Sequence, residues 1–192
     1  MDIISHGLIG CAIGQFYCKT NVKKVGIAGM TAMLPDFFQI PYYLTLGYLC
    51  DRPFYIPYNE DWTGFRGQLP LLDLVWDVPH SLLFLVLVVV PIVKKFRLEK
   101  ILILSYLSHI IADIPTHTGE WNLRYFFPLE FTINGVTDAW KWNLTYLAIS
   151  WIILVVINFY IYKKNRDEIY KNTESRFLNK WKASVAKDGT RK

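Results

Sequence analysis

Cysteine is scarce in this 192-residue chain: Cys11, Cys18 and Cys50 are the three, and no two form a CxxC pair. That spacing excludes a thiolate zinc site and offers no disulfide framework, so the three read as small buried hydrophobes. A nucleophile elbow, a phosphate-binding glycine loop and a dinucleotide fingerprint are also missing, which removes the commonest sequence routes to acyl-transfer and nucleotide chemistry. Charge is sparse, and the net +5 comes from one end: from Lys163 onward there are ten Lys/Arg and four Asp/Glu. A basic stretch directly behind an apolar segment reads as a cytoplasmic flank resting on anionic lipid, so no nucleic-acid partner is expected. No basic n-region precedes the first apolar stretch, and a cleavable signal is not expected.

Apolar residues are what the chain has in excess, at 53% hydrophobic with 16% aromatic, more than an ordinary water-soluble domain carries. They fall into five segments, 3–18, 25–50, 69–93, 101–115 and 144–162. The predicted fold is therefore all-α, an integral membrane bundle of about five transmembrane helices. The second segment is interrupted at Leu34-Pro35-Asp36, where proline removes a backbone donor and an acid follows, so a broken or kinked helix is expected there. Two domains of character result: a transmembrane part, 1–162, and a basic cytoplasmic tail, 163–192. Lys19, Lys23 and Lys24, then Lys94, Lys95, Arg97 and Lys100, and finally the tail are basic, whereas loops 51–68 and 116–143 carry a slight excess of acid. By the positive-inside rule the N-terminus lies outside and the C-terminus in the cytoplasm, and the expected location is a bacterial plasma membrane.

Inside these apolar segments sit residues that are expensive in hydrocarbon unless partnered. His109 and Asp113 are four apart, which on a helix places them on one face. Counted from the cytoplasmic ends at the helical rise, His6, Asp36, His80 and Asp113 come to about 17–20 Å of depth and His109 to about 12 Å. Four segments thus bring a ligand-type residue to one level. Neutral imidazole with carboxylate suits a divalent cation, most readily Zn²⁺, so His6, Asp36, His80, His109 and Asp113 are the expected metal ligands. The same residues would also suit a proton or ion path, and a non-enzymatic metal-binding or conducting protein is the competing expectation. Asp77 reads as a general base, a partner orienting His80 or a solvated vestibule residue, while Asp73 reads as a helix cap. His117 and Glu120 follow the fourth segment as secondary candidates.

In order, Ser5-His6 with Gly7 and Gly10, Leu34-Pro35-Asp36, Pro79-His80-Ser81-Leu82, Ser108-His109-x-x-x-Asp113 with Thr116 and Gly119, and Phe127-Pro128 resemble the YdjM-like family of predicted membrane-bound metal-dependent hydrolases. That family is in turn distantly similar to zinc-dependent phospholipase C and the S1/P1 nucleases. The resemblance covers about residues 1–130. It implies a metal-activated water attacking a phosphate ester, with Asp36, His80, His109 and Asp113 as the principal site and Asp113 bridging to a second ion held partly by His6. The chain has Val75-Trp76-Asp77 where the family usually carries His-Arg-Gly, and the ligands of a three-ion site are not evident unless His117 and Glu120 substitute for them. One or two ions are therefore expected. Catalytic roles fall to Asp36 or Asp77 as proton acceptor, and membrane burial points to a membrane lipid or lipid-linked substrate.

Overall fold

The computed structural model describes residues 1–65 and 68–189, without the side chains of 59, 63, 64, 72, 120, 172 and 175–189. All regular structure among the described residues is helical. Helix α1 (Ile3–Cys18) starts where Asp2 accepts hydrogen bonds from the Ile4 and Ser5 amides, and α2 (Val22–Phe37) starts where Asn21 accepts from Lys24. Both caps satisfy donors that a first helical turn leaves unpaired. The two helices form a tight hairpin. A Cβ added at Gly10 would lie 2.6 Å from Ala32 Cβ and 2.7 Å from the Ala28 carbonyl oxygen, so only glycine lets the backbones come this close.

The second apolar segment divides into α2 and α3 (Ile40–Leu49), but the division lies at Phe38-Gln39 and not at the predicted Leu34-Pro35-Asp36. Pro35 stands in the last turn of α2, where its missing N–H costs one bond near an end that is about to fray, and the helix closes one turn later with Gln39 N–H donating to the Asp36 carbonyl. The third segment is not one helix either. It comprises α5 (Pro70–Asp77), a turn at 78–80, α6 (Leu82–Phe84), a π-helical turn (Leu85–Val89) and α7 (Val90–Lys95). Pro79 and the cap supplied by Ser81 Oγ to the Leu83 amide account for the interruption. Between α3 and α5 the connecting loop folds a short α4 (Asn59–Phe65).

Helix α8 (Ile101–Asp113) packs on α1 and α2 and runs into a 3₁₀ turn at Ile114–Thr116. Helix α9 (Leu144–Gly189) continues through the basic residues without a backbone break, since Lys, Arg and Glu are good helix formers. It docks on α1 through polar side chains: Trp151 Nε1 donates to Asp2, Gln15 donates to Asn158 Oδ1, and Asn158 and Asn165 donate to the Leu8 and Gln15 carbonyls. The part Leu144–Lys171 is the one described helix long and apolar enough to cross a membrane. Apolar side chains also face outward on the shorter helices, including Phe16, Val22, Met30, Leu87 and Ile111. The inner core is aromatic: Tyr42, Trp62, Trp76, Tyr106, Trp121 and Tyr125 are buried with Leu46, Leu85, Ile110 and Leu123.

Candidate metal centre

The structure brings His6, Asp36, His80, His109 and Asp113 together. His109 and Asp113 share one face of α8, with Nε2 of the first 3.1 Å from Oδ2 of the second. Asp36 reaches in from the last turn of α2, and its Oδ1 lies 3.7 Å from both the His80 and the His109 Nε2 atoms. His80 comes from the 78–80 turn, not from a helix; its Nε2 is 3.0 Å from His109 Nε2 and 3.8 Å from Asp113 Oδ2. The three histidines and Asp113 are almost entirely buried, and Asp36 is the partly open member.

The backbone decides which imidazole nitrogens face inward. His80 Nδ1 lies 2.7 Å from the Trp76 carbonyl and His109 Nδ1 lies 2.7 Å from the Ala32 carbonyl. A carbonyl only accepts, so each neutral ring carries its hydrogen on Nδ1 and turns an Nε2 lone pair into the cluster. Two imidazole lone pairs and two carboxylates thus converge with no hydrogen of their own between them. Five of the six edges among His80, His109, Asp36 and Asp113, all but the one between the two carboxylates, span 3.0–3.8 Å. A tetrahedral ion with ligands at about 2.0–2.1 Å needs edges of about 3.3–3.4 Å, within this span. The donors and their carbonyl-oriented tautomers both fit a borderline divalent cation.

Asp113 turns its second oxygen the other way. Oδ1 lies 2.5 Å from the Met1 amine, 3.0 Å from His6 Nε2 and 3.6 Å from His117 Nδ1. His6 stacks on His109 with ring centroids 3.6 Å apart; its Nε2 meets Asp113 Oδ1 without hydrogen-bond geometry, and its Nδ1 has no hydrogen-bond partner among the described residues. Buried polar atoms of that kind are rare unless something else satisfies them. His6, His109 and Asp113 form one candidate cation group and Asp36, His80 and His109 another, so His109 belongs to both and Asp113 faces both. His117 donates from Nδ1 to the Asp113 carbonyl; burial pushes its pKa down to about 4 against the pull of the Asp113 charge, so the ring is neutral at pH 7.

No family model, curated protein or solved structure matches this chain. The chemistry of the site therefore rests on its own geometry. A cavity of about 450 Å³ borders the cluster at Asp36 and His117 and is walled by Ile3, Ile40, Tyr43, Trp140, Trp142 and Leu147. Of the five clustered residues Asp36 lines the cavity, while His6, His80, His109 and Asp113 are packed in protein behind it.

Of the remaining sequence candidates, Asp77 is held by Arg124, whose Nε and Nη2 both donate to Oδ2, with the Nε contact at 2.9 Å. The expected catalytic carboxylate is thereby tied into an ion pair. The side chain of Glu120 lies outside the described residues. Two participants have no signature in the sequence. Gln39 sits beside His80 and Asp36 at the cavity wall, and the strap 135–137 pins the His117 segment through Gly135 N–H to the His117 carbonyl and Val136 and Thr137 N–H to the Pro115 carbonyl. Isolated polar residues in turns carry no periodicity by which to find them.

Proposed function

We propose that the protein is a membrane-bound metal-dependent hydrolase that cleaves a phosphate ester of a lipid or lipid-linked substrate. The observation that carries this reading is the facing pair of imidazole lone pairs at His80 and His109, completed by Asp36 and Asp113 and opening on one side to a cavity. Four protein ligands alone would make a closed, structural site, so the hydrolytic reading requires that Asp36, the ligand at the cavity, yield its place to water or that the ion take a fifth ligand there. When bound, a divalent ion, most readily Zn²⁺, supplies an acidified water and polarises a phosphoryl oxygen. One ion would be held by Asp36, His80, His109 and Asp113, and a second by His6 and the outer oxygen of Asp113.

The chain's own groups then divide the work. The Trp76 and Ala32 carbonyls hold His80 and His109 in the tautomer that presents Nε2. Asp36 lines the cavity and its buried Oδ2 carries no hydrogen bond among the described residues, so it would be the group to accept a proton from an attacking water. The apolar and aromatic wall excludes bulk water and accommodates the hydrocarbon part of an amphiphile. A bundle of about five membrane segments, with N-terminus and long loops outside, fits the outward apolar faces of the short helices and the spanning length of α9. The resemblance in motif order to the YdjM-like hydrolases points the same way.

The test is elemental analysis of the purified protein, followed by a panel of phosphomonoester, phosphodiester and phospholipid substrates. At least one divalent ion per chain and metal-dependent turnover that His109→Ala abolishes are expected. A protein that retains no divalent ion under saturating Zn²⁺ would overturn the reading.

A further inference from the structure

Gln39 occupies an odd position for a neutral side chain. It is nearly fully buried at the cavity wall, and its Nε2 lies 3.2 Å from His80 Nε2 and 3.3 Å from Asp36 Oδ1. Those two acceptors are themselves 3.7 Å apart, so the amide nitrogen spans one edge of the proposed coordination polyhedron. Its orientation follows from its neighbours. His80 Nδ1 donates to the Trp76 carbonyl, which leaves Nε2 as an acceptor, and the Asp36 carboxylate only accepts. Both partners therefore require the NH₂ end of the amide, and the two hydrogens of that group match the two acceptors. The lone pairs that Gln39 satisfies are the ones a cation would take.

Resting on the metal reading above, we propose that Gln39 is a removable plug of the metal site. Its NH₂ group satisfies His80 and Asp36 when no cation is held, and must leave both for a divalent ion to bind. The position of Gln39 fits such a movement. It is the N-cap residue of α3, directly after the α2–α3 turn, its side chain makes no capping bond, and it borders a cavity into which the amide can swing. A side chain needed only to complete the fold would leave metal affinity unchanged or lower it on removal. A plug predicts the reverse, because each hydrogen bond it makes competes with coordination.

The experiment measures Zn²⁺ affinity and association rate on the full-length protein in detergent, by competition with a chromophoric chelator, for wild type, Gln39→Leu and Gln39→Ala. Leucine keeps the volume and loses the donors, whereas alanine also opens the cavity, and circular dichroism establishes that each variant is folded. Loss of two competing hydrogen bonds should tighten Zn²⁺ binding about tenfold, with faster association. Folded variants that bind Zn²⁺ no more tightly than wild type would overturn the plug while leaving the metal reading intact. Wild type that binds no Zn²⁺ in the same titration would overturn both.

Discussion

His80 Nε2 and His109 Nε2 lie 3.0 Å apart, while each ring directs its Nδ1 to a backbone carbonyl 2.7 Å away. Two acceptors at that distance repel unless a cation or a proton lies between them. Removing either imidazole should therefore cost far more metal affinity than loss of an orienting partner, which is typically 10–100-fold. His109→Ala and Asp113→Ala are each expected to lower Zn²⁺ affinity by at least about 100-fold, read by chelator competition. His109 is the sharper case, since it belongs to both candidate cation groups.

The close approach of α1 and α2 sets the position of the Ala32 carbonyl and hence of His109. A Cβ at Gly10 would meet Ala32 Cβ at 2.6 Å, whereas one at Gly26 meets nothing within 4 Å. Gly10→Leu should destabilise the protein by about 1–3 kcal/mol through overpacking and weaken metal binding with it. Gly26→Leu should do neither. Thermal unfolding in detergent with parallel Zn²⁺ titration compares the two, and equal effects would mean that the hairpin contact does not govern the site.

Arg124 and Asp77 give a separate handle. Asp77 is buried while Arg124 is about one-third exposed, so deleting the guanidinium takes two charge-assisted hydrogen bonds from an interior carboxylate. Arg124→Ala should cost about 2–3 kcal/mol of stability, at the low end for a buried pair because the arginine is partly solvated. Asp77→Asn should be milder and leave Zn²⁺ stoichiometry unchanged. If Asp77→Asn instead abolishes hydrolysis in a fully folded, metal-loaded protein, Asp77 takes part in proton transfer after all.

Between α3 and α5, hydrogen bonds from Arg52 hold the Asp61 carboxyl below the usual carboxylate range, helped by the Tyr58 amide. A depressed folded pKa stabilises the native state fully above the unfolded value of about 3.9, and the contribution is lost as pH falls through the folded value. Melting temperature should thus drop below about pH 4 by a component that Asp61→Asn removes. A wild-type and Asp61→Asn difference that stays constant from pH 7 to pH 3 would contradict this.

Much of the site was legible because its chemistry is costly to bury. His6, Asp36, His80, His109 and Asp113 stand out as polar residues in apolar runs, and the i, i+4 spacing of His109 and Asp113 translates directly into one helix face. The bounds of α1 also match the hydropathy pattern. The third segment did not, since hydropathy measures burial and not backbone continuity; Pro79 was its signal. Counting depth by helical rise was for the same reason inapplicable to His80, which a turn carries into the cluster. The end of the fifth segment was set by a change in polarity at Lys163, but helix formation tolerates that change and α9 runs on. Gln39 and Arg124 were illegible because their meaning lies wholly in what they touch.

Four of the seven tryptophans, Trp62, Trp76, Trp121 and Trp140, have ring centroids 4.7–6.2 Å from one another, and Trp140 also walls the cavity. Indoles so close share their excited states, so the cluster should give an exciton couplet from the strong indole transition at the long-wavelength edge of the far-ultraviolet circular dichroism spectrum. Any molecule that enters the cavity perturbs one member and thereby the collective signal. The protein carries its own optical reporter of occupancy, readable without a label or a known substrate.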